Sequence, residues 1–159
     1  MKRIVVTADD FGMAPEVNAA VEEAHRRGIL TAASLMVTGS AAAGAVALAR
    51  RLPRLRTGLH VVLVEGVPAL PAERVPGLVG PDGRFRTDMV ALSFDIALRP
   101  AVRAQLRAEI EAQFQAYHAT GLILDHVNAH KHFHLHPMIA REVIVIGRRF
   151  GLRALRVPY

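Results

Sequence analysis

Short apolar runs rich in β-branched residues alternate along this chain with longer segments in which apolar residues recur at helical spacing. The short runs predict five strands, at residues 4–8, 32–37, 57–64, 122–128 and 153–157. The longer segments predict four helices, at residues 15–28, 40–53, 102–121 and 137–151. Strands that alternate with helices form parallel sheets with helical crossovers. We therefore expect an α/β fold, either doubly wound or closed into a barrel.

Residues 65–100 interrupt this alternation with several prolines and glycines, and we expect a long irregular excursion there. Loops of that length are more often functional or mobile segments than plain connectors. Ser40 is the expected N-cap of the second helix. The chain has 159 residues, of which 52% are hydrophobic, which is enough to bury one core. We expect a single domain over residues 1–159.

The segment between Asp125 and Pro137 holds five of the eight histidines, at every second position. In an extended strand, alternate side chains share one face. That face would carry His126, Asn128, His130, His132, His134 and His136. Buried imidazoles are costly unless something binds them, and neutral imidazole is a common ligand of divalent ions. The alternative is that single histidines lie on the surface or cap a helix. We expect this of His126 and His136, and we expect strand pairing to end near His130.

Polar residues follow several of the predicted strands at their carboxyl ends, where parallel α/β folds gather catalytic groups. Asp9 and Asp10 come just past the first strand, His60 lies within the third, and His130 just past the fourth. We expect these side chains to meet at one rim. One carboxylate and two imidazoles can hold a divalent ion that activates water, with a neighbouring carboxylate as general base. Iron oxygenases use the same kind of ligand set, and an acid pair alone is often solvated or caps a helix.

Composition narrows the choice of ligands and partners. The chain has no cysteine, so a metal must be held by histidine, carboxylate and water. The net charge of +6 comes from arginines spread along the chain without a basic tract, and we expect no nucleic-acid partner. The amino terminus lacks a signal-peptide core, and the long uncharged run at residues 29–49 is too polar for a transmembrane segment. We expect a cytoplasmic protein.

Five segments, in order, resemble the YdjC-type carbohydrate deacetylases. They are Thr-Ala-Asp-Asp-Phe-Gly at 7–12, Asn18, the run at 28–37, Gly-Leu-His at 58–60, and His-Val-Asn-Ala-His-Lys-His-Phe-His-Leu-His-Pro at 126–137. The resemblance covers nearly the whole chain, and its motifs are specific in combination. Within the family, the Asn-Ala-His-Lys-His run most resembles the hopanoid-biosynthesis-associated branch, HpnK.

The resemblance implies an irregular TIM-like (β/α) barrel that removes acetyl groups from N-acetylated sugars or glycolipid head groups. It implies a divalent metal ion, Mg or Zn first, with Mn or Co as alternatives. Asp10, His60 and His130 would be the metal ligands, and Asp9 would be the general base. Three further residues would orient these groups or face the substrate, namely Asn128, His132 and His134.

Family members continue beyond the position of residue 159, with further strands and a late His-Pro motif thought to act as general acid. Five strands cannot close an eight-stranded barrel. We therefore expect a barrel truncated after about five strands, whose open strand edges favour a homo-oligomer. The alternative to an active deacetylase is an inactive or regulatory metal-binding fragment of one.

Overall fold

The computed structural model describes residues 4–158 and has a four-stranded parallel sheet in the order β1-β2-β3-β4. The strands are β1 (Thr7–Phe11), β2 (Ala32–Leu35), β3 (Arg56–Val61) and β4 (Val127–Ala129). Strands adjacent in sequence are also adjacent in the sheet, so each connection is a crossover that carries at least one helix. The predicted α/β class and the parallel pairing are confirmed.

Five α-helices cover the sheet. They are α1 (Pro15–Arg27), α2 (Ala42–Arg51), α3 (Met89–Leu98), α4 (Pro100–Ala119) and α5 (Pro137–Arg149). Proline occupies the first turn of α1, α4 and α5, where its missing N–H has no helical partner to lose. Left-handed glycines follow α4 and α5, at Gly121 and Gly151, as predicted. None of the helices within residues 4–158 combines the length and apolar content needed to cross a bilayer.

Two predictions near the helices are wrong. Ser40 does not cap α2, because this helix begins after Ala41. The Ser40 hydroxyl donates instead to the Met13 carbonyl, 2.8 Å away. Residues 65–100 are not wholly irregular, because they contain α3 and a short 3₁₀ turn at Ala72–Arg74. Asp88 caps α3 by accepting from the Ala91 N–H at 2.9 Å. Leu92 and Ile96, four residues apart, are buried in the core.

The predicted fifth strand at residues 153–157 is also wrong. Within the described part of the chain, this segment meets the sheet through a single parallel bridge between Leu155 and Val127. The Val127 N–H donates to the Ala154 carbonyl, and the Arg156 N–H donates to the Val127 carbonyl.

The histidine segment leaves the strand at its first candidate ligand. Short 3₁₀ turns interrupted by a kink span His130–Leu135; at the kink, Lys131 and His132 lie in the left-handed region at φ 51° and 55°. The expected single strand face from His126 to His136 is therefore wrong, whereas the expected end of pairing near His130 is confirmed. Burial of Phe133 and the start of α5 at Pro137 turn the chain away from the sheet.

The two faces of the sheet differ in polarity. One face packs apolar strand residues against the helices; Leu35, Leu59 and Val127 there are fully buried. On the opposite face, the register pairs His60 with Asn128 and Ser34 with Gly58, which places three polar side chains side by side. These polar side chains are buried and form the floor of the site described next.

Candidate metal centre

Asp10, His60 and His130 bring three possible ligand atoms together at the carboxyl edge of the sheet. Asp10 Oδ1 lies 3.0 Å from His60 Nε2 and 3.0 Å from His130 Nδ1. The two imidazole nitrogens are 3.4 Å apart. Two ligands that each lie about 2.1 Å from one ion, at 90–109°, are separated by about 3.0–3.4 Å. The three atoms thus have the spacing of one face of a metal coordination shell.

An irregularity in β1 aims Asp10 at this position. The register of β1 against β2 shifts between Ala8 and Phe11, and Asp10 has φ 59°. Such bulges re-aim side chains next to functional sites. Asp9 and Asp10 therefore lie within the strand, not past it as predicted. Asn18 stabilises the turn that follows, since its Oδ1 accepts from the Gly12 N–H at 2.9 Å and its Nδ2 donates to the Ala41 carbonyl at 3.0 Å.

Asn128 determines which nitrogen of His60 faces Asp10. The Asn128 Nδ2 group donates to Asp9 Oδ1 and to Ser34 Oγ, at 2.9 Å each. Its Oδ1 therefore faces His60 Nδ1, 2.7 Å away, and can only accept from an N–H there. A neutral His60 ring with its proton on Nδ1 carries a lone pair on Nε2. That lone pair points at the two other ligand atoms.

The site needs a positive charge at its centre. A lone pair on His60 Nε2 and an ionised Asp10 oxygen repel each other at 3.0 Å unless a cation lies between them. A proton shared with His60 lowers the pKa of the Asp10 carboxyl by more than burial raises it, so this acid stays ionised. A divalent ion supplies the same charge, and an ionised carboxylate with two imidazoles is a donor set that such ions accept. The residues present therefore fit a divalent metal.

Asp9 is not one of the three residues that offer a ligand atom, and its carboxylate is held by other groups. Its Oδ1 accepts from Asn128, from Ser34 Oγ at 3.1 Å and from Arg156 Nη1 at 2.7 Å. Its Oδ2 accepts from Arg156 Nη2 at 2.6 Å. Burial raises the pKa of Asp9, but the hydrogen bonds and charge of Arg156 act in the opposite direction. The net pKa of Asp9 is below its usual value. The two adjacent acids therefore have separate environments.

Arg156 is the site residue that the sequence did not reveal. It lies 147 positions after Asp9, in a segment predicted as a strand. His134 contacts it from the other side, since the buried His134 ring donates from Nε2 to the Arg156 carbonyl at 2.7 Å. Desolvation by burial lowers the pKa of His134, which favours the neutral ring. No local pattern distinguishes Arg156 from the surrounding arginines.

The remaining histidines of the segment lie outside the group of three. His132 is exposed, and its ring stands edge-on to that of His134 with 6.4 Å between the centroids. His126 is buried at the start of β4 and donates from Nδ1 to Asp125 Oδ2 at 3.2 Å. His136 precedes the first residue of α5. Only His130 of the segment joins Asp10 and His60.

Together these features define an α/β protein with an Asp-His-His centre at the carboxyl edge of a parallel sheet. The chain belongs to the YdjC-like protein family, whose sequence model matches residues 3–159.

Relatives with known names extend the comparison. A carbohydrate deacetylase from Brevibacillus brevis is 37% identical over 157 residues, which cover 99% of this chain and 60% of that protein. A human carbohydrate deacetylase is 37% identical over 162 residues, covering 98% of this chain and 48% of its own length. The crystal structure of a candidate cellobiose-phosphate cleavage protein from Enterococcus faecalis V583 superposes with a TM-score of 0.82 at 28% identity. It covers 94% of this chain and 57% of that one. The chain thus spans about half to three fifths of the length of these relatives.

Proposed function

We propose that this chain carries the metal-binding and base-bearing part of a metal-dependent deacetylase acting on N-acetylated sugars or glycolipid head groups. The observation that carries the proposal is the triangle of Asp10, His60 and His130 ligand atoms, with sides of 3.0, 3.0 and 3.4 Å. The substrate class is supported by the carbohydrate deacetylases that the chain resembles over almost all of its length. The Asn-Ala-His-Lys-His run is the basis for placing it in the hopanoid-associated branch.

In this proposal, Asp10 Oδ1, His60 Nε2 and His130 Nδ1 hold the ion. A divalent ion bound there lowers the pKa of a water molecule and polarises a carbonyl. The chemistry of the ligands leaves Mg, Zn, Mn and Co as candidates. Asn128 prepares the site by fixing the proton of His60 on Nδ1, as outer partners of metal-bound histidines do.

Asp9 is the proposed general base. Its pKa lies below the ordinary value of an aspartate, so the carboxylate is ionised at neutral pH and can accept a proton from water. Among the described contacts, Oδ1 accepts three hydrogen bonds and Oδ2 accepts one. Oδ2 therefore keeps a lone pair for the proton. Arg156 lowers the basicity of the Asp9 carboxylate and also fixes its orientation.

His134 and His132 have different proposed roles. His134 orients Arg156 through the carbonyl contact at 2.7 Å, and through Arg156 it orients Asp9. His132 is exposed beside it and is the candidate for contact with the substrate.

We further propose that the four-stranded sheet is part of an irregular TIM-like (β/α) barrel and that residues 1–159 belong to a single domain. Two observations support this. The polar floor of the site lies on the sheet face opposite the apolar residues that pack against the helices, as the polar groups of a barrel interior would. Within residues 4–158, the outer edge of β4 pairs through a single bridge, to Leu155, so a further strand could pair there.

Acetate release from an N-acetylglucosamine-containing oligosaccharide tests the function. We expect release that requires a divalent ion and is lost in His60→Ala and Asp10→Asn. His126→Ala is the matched control, because it also removes a buried histidine from the sheet region but not from the site. Unchanged release in His60→Ala and Asp9→Ala would refute the assignment. The second candidate, metal binding without turnover, is favoured by the partial coverage of the relatives. It predicts ion binding by this chain without acetate release, and release by a longer form of the protein.

A further inference from the structure

Strained backbone collects around the candidate metal centre. Within residues 4–158, the non-glycine residues with positive φ are Asp10, Glu65, Lys131 and His132, at 59°, 54°, 51° and 55°. All of them lie in or after the carboxyl end of a strand that borders the site. The left-handed conformation is unfavourable for an L-residue and persists where surrounding contacts impose it. For Asp10 the reason is clear, because the bulge aims a ligand.

Glu65 and Lys131 are joined by an ion pair. Lys131 Nζ donates to Glu65 Oε1, so the contact joins the segment after β3 to the segment after the neighbouring strand β4. The same two strands deliver His60 and His130. The pair therefore ties the turn that follows one ligand strand to the turn that follows the other. Both side chains are partly exposed, at 44% for Lys131 and 35% for Glu65.

The Glu65 end of this tie is fixed to helix α4. Two buried side chains of α4 form hydrogen bonds with the backbone on either side of Glu65. Gln113 accepts from the Val62 N–H at 2.9 Å and donates to the Val62 carbonyl at 2.6 Å. Glu109 accepts from the Ala69 N–H at 2.7 Å and from the next backbone N–H at 3.0 Å. The loop after β3 is thus a rigid support.

The Lys131 end directly adjoins a ligand. His130 presents Nδ1, the ring nitrogen nearer the backbone, to Asp10 and His60. The position of Nδ1 depends on few torsions, so it follows the backbone of residues 130 and 131 closely. Because β4 is only three residues long, pairing in the sheet does little to fix this turn. The ion pair with Glu65 connects this turn to the loop that follows β3.

We infer that the Glu65–Lys131 ion pair is a positioning device for His130, which holds the left-handed turn in the conformation that brings Nδ1 to the ion. The inference rests on the proposed metal centre. Neither residue is assigned a contact with the ion or with the substrate. Their charges cancel, so the pair positions His130 without adding a net charge beside the cation.

Two nearly isosteric variants, Lys131→Met and Glu65→Gln, distinguish an effect of charge on metal binding from an effect of the position of His130. If only charge matters, Lys131→Met removes a cation near the ion and strengthens binding, whereas Glu65→Gln leaves a cation there and weakens it. If the pair positions His130, both variants weaken binding. We expect about a tenfold loss in each, at the low end of the range for outer partners of metal ligands. Lys131→Arg keeps the tie and retains the affinity. The double exchange Glu65→Lys with Lys131→Glu restores much of it.

Isothermal titration of the metal-free protein with Zn²⁺ tests the inference, with Glu23→Gln as control because it breaks an exposed ion pair with Arg27 on α1. Wild-type binding that is lost in His60→Ala establishes the centre independently of the pair. With the centre so established, wild-type affinity in both single variants, or shifts of opposite sign, would overturn the positioning role alone. No binding by the wild-type protein would overturn the centre and the inference together.

Discussion

The two edges of the sheet differ in what they offer a ligand. The amino edge has two grooves of about 410 and 550 Å³, each lined in part by Arg56 and Asp125. The carboxyl edge has the convergent chemistry, with three ligand atoms within 3.4 Å of one another. At the amino edge, the Arg56 side chain is 71% exposed and pairs with a single carboxylate. Substitutions at the two edges test this contrast.

The largest expected effect comes from removing a ligand at the carboxyl edge. We predict that Asp10→Asn and His60→Ala each lower Zn²⁺ affinity by more than about a hundredfold, since even outer partners are worth 10–100-fold. Titration calorimetry measures this. Asp125→Asn, at the amino edge, is the control and should bind as the wild type does. An equal loss in Asp125→Asn would break the contrast between the edges.

Asn128 connects the metal ligands with the proposed base, so its loss should affect both binding and stability. Asn128→Ala removes the acceptor that fixes His60 and two donors to Asp9 and Ser34. We predict a loss of about 1–3 kcal/mol in the free energy of unfolding, because buried partners are left unsatisfied. Zn²⁺ affinity should fall about tenfold or more. Urea denaturation and calorimetry measure the two effects; a stable variant with unchanged affinity would contradict the role of Asn128.

The pairing of Asp9 with Arg156 should be visible in the pH dependence of stability. The folded-state pKa of Asp9 lies below its ordinary value, so its contribution is present above the unfolded-state pKa and is lost as pH falls through the folded-state value. In Arg156→Met, burial still raises the pKa of Asp9 but the lowering hydrogen bonds and charge of Arg156 are lost, so the pKa of Asp9 rises. We therefore predict a loss of stability that is larger near about pH 7 than near about pH 3.

Thermal or urea unfolding across that pH range measures this difference. Arg153→Met is the control, since Arg153 is an exposed arginine on the same segment. A loss in Arg156→Met that does not depend on pH would show that Arg156 contributes packing and not charge.

The smallest expected effect belongs to the amino edge. Arg56→Ala breaks the ion pair with Asp125, whose atoms are 2.9 Å apart. Exposed ion pairs contribute about 0–1 kcal/mol, and we predict a loss within that range with no change in Zn²⁺ affinity. Urea denaturation measures the stability, and a loss of several kcal/mol would mean that this edge has a larger structural role than its exposure indicates.

Much of the fold could be predicted because its signals are local. The apolar periods of α4 and α5, with proline at their starts and glycine after their ends, specify helices without reference to the rest of the chain. Parallel strands then bring their carboxyl ends to one edge, which is why Asp9, Asp10, His60 and His130 could be grouped from the order of the strands. The choice of Asp10 rather than Asp9 as a metal ligand came from the family resemblance. The sequence also contained the signal for α3, an Asp88 cap followed by buried residues four apart, but its neighbouring prolines obscured it.

The rest depended on contacts between distant residues. Arg156 meets Asp9 across 147 positions, and nothing near either residue indicates the partner. The bulge that aims Asp10 and the left-handed turn at Lys131 are imposed by neighbouring strands and loops, against the local preference of those residues. The even spacing of the histidines suggested a strand, yet pairing stops at Ala129 and the chain turns toward α5.

A crystal structure of the protein soaked with Zn²⁺, with anomalous diffraction collected at the zinc edge, tests the central claim most directly. The account predicts one strong anomalous peak about 2.0–2.2 Å from Asp10 Oδ1, His60 Nε2 and His130 Nδ1. It also predicts that Asp9 stays paired with Arg156 beside the ion. A peak on other histidines, such as His132 or His136, with none between Asp10, His60 and His130, would contradict it.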